Sequence, residues 1–292
     1  MRGERFQVAV VGAGAVGATS AYAMLVRGAA RRVVLHDINA AKVRAEVLDL
    51  GHGAMFVPEA EIDGSDDVEI CGGSDVVVVT AGAKQKPGQT RMDLAGATVD
   101  LMKKVLPAVQ AVAPDAIYVL VTNPVDVVTY ASLKITDLPP DRIFGSGTVL
   151  DSSRLRWLVS EACEVAVGNV HAYMAGEHGD TEVPLWSSAA IGGVPLTSWE
   201  QQTGRLGPAR RDEIAHQVVN AAYEVIAGKG ATNYAVGLAV ARIVESIRRD
   251  ENRVLPISTL LQDWHGITDV CMSVPTLVNA RGAGQRLEVP LD

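Results

Sequence analysis

The chain has 292 residues, 48% of them apolar and 21% charged, with a formal net charge of −8. That length can bury a sizeable core in two packed lobes or one large α/β domain, and the acidic balance argues against nucleic acid or an anionic membrane surface as a partner. Cys71, Cys163 and Cys271 stand far apart, odd in number and outside any C-x-x-C spacing, which indicates neither a disulfide framework nor a zinc site and fits a reducing cytoplasm.

The N-terminal apolar stretch is interrupted by glycines, falls short of a membrane span and lacks a cleavage pattern, so no targeting segment is expected. Neither a repeat of 20 to 50 residues nor a low-complexity tract is present. Phe6 to Val11, Val33 to Leu35, Val76 to Thr80 and Ile117 to Val121 are predicted as strands, with helices from Val16 to Arg27 and from Arg91 to Val112. Continuous apolar strands alternating with helices imply a parallel sheet covered on both faces. After the third strand runs AGAKQKPGQTRMDL, Ala81 to Leu94, with two glycines, a proline, two glutamines, two lysines and an arginine. With so little to bury, it reads as a loop that grips a ligand by closing over it.

Near Phe144 the regular alternation stops. FGSGTVLDSSRLRWLVSEA enters a helix through a glycine-serine hinge, followed by strand candidates at Asn169 to Met174, Val254 to Leu260 and Asp269 to Val274 and a long helical pattern at Pro208 to Ile226. This places a domain boundary near Gly145, dividing the chain into residues 1–145 and 146–292.

Gly12, Gly14 and Gly17 form G-x-G-x-x-G between the first strand and its helix. The first glycine permits a tight turn, the second lets backbone approach a pyrophosphate, and the third lets helix pack on strand. Alone, such glycines could simply pack a helix onto a sheet. Asp37 strengthens the dinucleotide reading: it stands 25 residues beyond Gly12 at the end of the second strand, where its carboxylate can accept ribose hydroxyls and repel a 2′-phosphate. NAD is therefore favoured over NADP, although Asp37 by itself could be a strand-end turn residue.

GEHGD places His178 between two turn-forming pairs after a strand candidate. Histidine suits proton transfer at neutral pH, but one of six histidines needs a partner to be singled out. Asp151 and Arg154, three apart in TVLDSSRLRW, share a helix face. They could be an ordinary surface ion pair. Taken with His178, Asp151 can orient and favour the imidazolium, and Arg154 offers a fork for a substrate carboxylate. Asn123, in LVTNPVD, lies at the end of another parallel strand, where such sheets contact ligands, or it marks an Asn-Pro turn.

In this order, VAVVGAGAVG, VTNPVD, GSGTVLDSSR, GEHGD and KGATNYA resemble the NAD-dependent lactate/malate dehydrogenase family over nearly the whole chain, and within it the bacterial L-lactate enzymes of the allosteric type. The resemblance implies a Rossmann-type, doubly wound parallel sheet followed by a mixed α/β substrate domain. It implies NAD contacts at Gly12, Gly14, Val16, Gly17, Asp37 and Asn123. His178 would exchange the proton with the substrate oxygen, Asp151 would orient it, and Arg91 would polarise the carbonyl when the loop closes. Arg154 would bind the substrate carboxylate, Asn123 would sit near nicotinamide and substrate, and Thr232 would line the pocket.

In this family an arginine at the position of Gln85 pairs with the second carboxylate of oxaloacetate or malate, whereas a neutral glutamine suits the methyl group of pyruvate. An unpaired second carboxylate would be costly to bury in a closed, dry site. The expected reaction is thus reversible reduction of pyruvate to L-lactate. Arg156 and His171 match positions that bind a phosphate of fructose 1,6-bisphosphate between subunits of an activated homotetramer, or else they are a solvated helix residue and a strand residue. Departures from the family pattern are Gln89, where a glutamate is usual, MDLAGATVD, which lacks the usual basic residue and asparagine, and an end at Asp292 before the family's last helix. The rival readings are a malate or bulkier 2-hydroxy acid dehydrogenase, an NAD-dependent glycosidase, whose longer chain and Cys/His metal site are not seen, and a non-catalytic NAD-binding protein.

Overall fold

In the computed structural model, residues 5–82 and 91–291 are described, with the side chains of 91–93 left aside. The first half lays down β1 (Gln7–Val11), α1 (Ala15–Arg27), β2 (Arg32–His36), α2 (Ala40–His52), β3 (Glu61–Ser65), β4 (Val76–Val79), α3 (Arg91–Val112), β5 (Ile117–Leu120), α4 (Val125–Ile135) and β6 (Ile143–Gly145). The six strands are parallel and ordered β6-β5-β4-β1-β2-β3. β4 (Val-Val-Val-Val) and β5 (Ile-Tyr-Val-Leu) are buried at every position, as a sheet covered on both faces requires. The order reverses between β1 and β4, which opens a crevice beyond their carboxyl ends.

The second half begins with α5 (Val149–Cys163) and continues through five two-residue strands: β7 (Val170–His171), β8 (Met174–Ala175), β9 (Val183–Pro184), β10 (Ala190–Ile191) and β11 (Val194–Pro195). It then forms α6 (Leu196–Thr203), α7 (Pro208–Lys229), α8 (Tyr234–Arg248) and an antiparallel meander, β12 (Arg253–Leu261), β13 (Val270–Asn279) and β14 (Gly282–Arg286). β12 joins β6 through Ser258 opposite Gly145, so the described strands include one nine-stranded sheet crossing position 145. A single apolar cluster likewise mixes Val8, Met24 and Val33 with Val240, Val244, Ile257 and Val278. A separate core under α5 and α7 holds Leu155, Val159, Ile191, Ile214 and Val218.

The predicted strand Asn169 to Met174 is instead two short ones. At Ala172 the chain leaves β10, which pairs with His171, and turns to β9, which pairs with Met174. Apolar runs predict that a segment is buried, and cannot predict that it changes partners midway. β13 likewise runs on to Asn279 and α7 to Lys229, beyond the predicted ends.

Candidate active site

The carboxyl ends of the parallel strands carry the glycine turn after β1, Asp37 after β2, Thr80 after β4 and Asn123 after β5. Gly12 has φ +105°, and a Cβ there would lie 2.7 Å from the Ala81 nitrogen; a Cβ on Gly17 would collide with the Gly12 carbonyl. Packing within the protein therefore explains both glycines. Gly14 is different: a Cβ there would meet nothing within 4 Å. It caps α1 without a side-chain hydrogen bond, which leaves the first amides of the helix, with Val16 in its first turn, without a side-chain cap, a helix start of the kind that suits an anion. The Asp37 carboxylate accepts from the Ala13 N–H at 2.8 Å and the Asn39 N–H at 3.1 Å, which fixes it against this turn. Asn123 is exposed and joined to Pro124 by a cis peptide.

Beside the carboxyl ends of β5 and β6, on the elements that follow them, is a cluster of charge. Asp151, in the first turn of α5, is 1% exposed, while the Arg154 and His178 side chains are 18% and 24% exposed. His178 Nδ1–H donates to Asp151 Oδ2 at 2.7 Å, and an Arg154 guanidinium N–H donates to Asp151 Oδ1 at 2.5 Å. One buried carboxylate thus holds both cations, and the His178 ring presents Nε2 away from it. α5 is fastened beneath them: the Thr148 hydroxyl donates to the Met174 carbonyl at 2.7 Å, and the Ser152 hydroxyl accepts the Met174 N–H at 2.8 Å.

The loop carrying His178 is pinned from other elements too. Gly176 exchanges two backbone hydrogen bonds with Ser273 of β13, each 2.9 Å, and the His178 N–H donates to Asp126 Oδ2 at 2.7 Å. Asp126, in the first turn of α4, is 8% exposed and also accepts from the Ser258 hydroxyl. Burial pushes its carboxyl up, only partly opposed by these hydrogen bonds. For His178 burial favours the neutral ring, but the hydrogen bond and charge of Asp151, reinforced by Glu182 and Asp126, outweigh it and hold the imidazole above its ordinary 6.5. Asp151 is held down in turn: burial alone would raise it, and His178 and Arg154 reverse the sign. A cation seated among these side chains would have to compete with the Arg154 guanidinium and displace the His178 proton, so their chemistry is that of holding a proton.

Arg154 and Thr232 line one cavity of about 430 Å³ with Leu150, Trp157, Lys229 and Val236, between α5, α7 and α8. Arg156 Nε–H donates to the Ala172 carbonyl at 2.9 Å and the guanidinium lies 4.8 Å from the centre of the Tyr173 ring, which sets it against the segment that follows the exposed His171. Gln85 and Gln89 lie outside the described residues; Arg91 opens α3, and its side chain lies outside them as well.

The family description "lactate/malate dehydrogenase, NAD binding domain" matches residues 6–145, and "lactate/malate dehydrogenase, alpha/beta C-terminal domain" matches residues 148–292. The chain belongs to the lactate/malate dehydrogenase family. Among the family's curated members it is 55% identical to the L-lactate dehydrogenase of Bifidobacterium animalis subsp. lactis over 98% of this chain and 90% of that one. It is 47% identical to the L-lactate dehydrogenase of Acetivibrio thermocellus over the same shares. Two crystal structures superpose with a TM-score of 0.96, covering 99% of this chain and 92% of theirs. One is a lactate dehydrogenase from a Medee basin deep-sea metagenome library, at 36% identity, and the other the minor L-lactate dehydrogenase of Enterococcus mundtii in its ligand-bound form, at 37%.

NAD is the cofactor of this family domain, and the glycine turn fits it. Of the three glycines, only Gly14 faces room that the fold itself leaves unfilled. Two residues at the site stand outside the predicted set. Asp126 lies inside the VTNPVD motif, where spacing could have drawn attention to it. Glu182 is one acid among several in a polar stretch and carries no pattern of its own.

Proposed function

We propose that this chain catalyses the reversible NADH-dependent reduction of pyruvate to L-lactate. The observation that carries this reading is the buried Asp151 carboxylate holding His178 and Arg154 together at the carboxyl edge of the sheet. When bound, NADH supplies the hydride. His178, kept protonated by Asp151, gives a proton from Nε2 to the developing alkoxide and takes it back in the reverse direction. Asp151 fixes the ring and stabilises its charged form. The Arg154 N–H groups not spent on Asp151 receive the substrate carboxylate. Arg91 stabilises the negative oxygen as charge develops, while Asn123 and Thr232 border the substrate and Gln85 leaves a second carboxylate without a partner. Residues 1–145 would serve as the cofactor half and 146–292 as the substrate half.

Two finer readings accompany this. Arg156 and His171 would bind a phosphate of fructose 1,6-bisphosphate at an interface of a homotetramer, which is supported by the closeness of Arg156 to the β7–β8 segment. A cytoplasmic location is supported by three buried, free cysteines; among the described residues no helix is long and apolar enough to cross a membrane.

The test is NADH consumption with pyruvate and with oxaloacetate, with and without fructose 1,6-bisphosphate, in the unmodified enzyme and in Gln85→Arg. Pyruvate should be preferred, the bisphosphate should raise turnover, and Gln85→Arg should move preference toward oxaloacetate. Oxaloacetate preference in the unmodified enzyme would overturn the substrate reading.

A further inference from the structure

Glu182 closes the loop that carries His178, immediately before β9. It is 6% exposed, and its Oε2 has no hydrogen-bond partner among the described residues. Carboxylate oxygens of Glu182 and Asp151 and a ring nitrogen of His178 all lie within 4.8 Å of one another. Asp151 already receives Arg154 and His178, and both carboxylates are buried, Asp151 at 1% and Glu182 at 6% exposure. An ionised Glu182 would leave its Oε2 buried without a donor and set a like charge beside Asp151.

We propose that Glu182 is a positioning residue for the proposed reaction, held as the neutral acid so that its O–H donates to Asp151 and completes the set of donors fixing the carboxylate that orients His178. The inference rests on the pyruvate reductase reading for its kinetic consequence, but not for its structural one. Asp151 then has three donors: the Arg154 guanidinium, the His178 ring and the Glu182 acid. Loss of the third leaves the carboxylate held by Arg154 and His178 alone, with less to fix the His178 ring.

Among the described residues, the charges acting on Glu182 are few. Asp151 and Arg154 face it from α5 and His178 from its own loop; Asp126 of α4 faces His178 from the other side, with Glu177 beside it. Burial, then the charge of Asp151, push Glu182 up to about 8, while His178 and Arg154 pull the other way. Below that pH the group is a donor. Above it, Glu182 becomes a second anion beside His178 and prolongs the life of the imidazolium, so the two titrations are linked.

Three forms of the full-length enzyme decide this: wild type, Glu182→Gln, which keeps a donor but cannot ionise, and Glu182→Ala, which has none. The carboxyl carbon of Glu182 and the ring of His178 are followed by NMR against pH without ligand, and kcat for pyruvate reduction is followed over the same range. The wild-type Glu182 carboxyl should titrate near 8. Glu182→Gln should match wild-type kcat near pH 6 yet lower the His178 midpoint by roughly half a pH unit or more, since the late-arriving negative charge is gone. Glu182→Ala should lose roughly tenfold in kcat near pH 6, the kinetic equivalent of one hydrogen bond to a charged group. A wild-type Glu182 that titrates near the ordinary 4.5 overturns the proposal, and needs no variant to fold. So does a Glu182→Gln that loses as much as Glu182→Ala, or a Glu182→Ala that loses nothing. An enzyme inert toward pyruvate would sink the functional reading and leave the carboxyl titration to decide the role of Glu182.

Discussion

The two sides of the crevice are made of different material. On the side proposed for the cofactor, the described parts are mainly backbone: a turn at Gly12, open space at Gly14 and the start of α1, with the Asp37 carboxylate fixed there. On the side proposed for the substrate they are buried and half-buried charged side chains drawn from three separate stretches of chain, Asp126 in α4, Asp151 and Arg154 in α5, and His178 with Glu182 on one loop. A backbone site recognises phosphates at any ordinary pH and fails when a side chain intrudes. A cluster of buried ionisable groups sets proton occupancy, and fails when one charge is removed from among the others.

Removing the proton carrier should give the largest effect on this contrast. His178→Gln is expected to lower kcat by about 10²–10⁴-fold, with the NADH dissociation constant unchanged; steady-state turnover and cofactor fluorescence titration measure the two sides separately, and a matching loss of NADH affinity would blur the division. Next is Arg154→Lys, which keeps the charge and loses the fork. A rise in KM for pyruvate of roughly tenfold or more is expected, and an unchanged KM would remove Arg154 from carboxylate binding.

The glycines should separate by mechanism. Gly17→Ala forces a methyl group against the Gly12 carbonyl and should cost about 1–3 kcal/mol of stability, seen as a lower thermal midpoint. Gly14→Ala, with nothing within 4 Å of the new carbon, should leave the midpoint in place and weaken only NADH binding. Equal melting of both variants would contradict the reading of Gly14 as ligand space.

The smallest effect is in pH dependence. His178 is held above 6.5, so its proton-donating form persists above that pH and pyruvate reduction should decline only as pH rises through the elevated value. Lactate oxidation, which needs the neutral ring, should rise over the same window. Asp151→Asn removes the largest charge that opposes burial, so both limbs should move to lower pH. Profiles of kcat/KM in each direction check the sign.

The same difference in material explains what could be read in advance. Backbone sites leave their signature in spacing, and Gly12, Gly14, Gly17 and Asp37 were all visible at fixed distances along a β-α-β unit. The helix from Arg91 to Val112 was legible for a similar reason, being long and periodic. His178, Asp151 and Arg154 were recognisable as residue types and through the family pattern, but nothing in their spacing states that one carboxylate holds both cations. Glu182 had no signal at all, because its meaning lies in burial and in a neighbour 31 positions earlier in the chain. α2, α4, α6 and α8 were given no bounds: Val127, Val128 and Thr129 in α4 carry a strand-like composition, and their helical form comes from packing. The short strands β7 to β11 were illegible because two residues are too few to show any period.

The shared sheet and apolar cluster also bear on how the chain comes to be folded. Met24 under α1 is covered together with Val240 and Val244 of α8, more than two hundred residues later in the chain. Until β12 docks on β6, the sheet ends in a raw edge, a template for pairing with another chain. The nascent first half therefore emerges with an unfinished flank, and its safe completion waits for the last fifth of the protein. Severing the polypeptide at Gly145 would yield two fragments that each expose part of a common interior, with aggregation as the expected fate of either made alone.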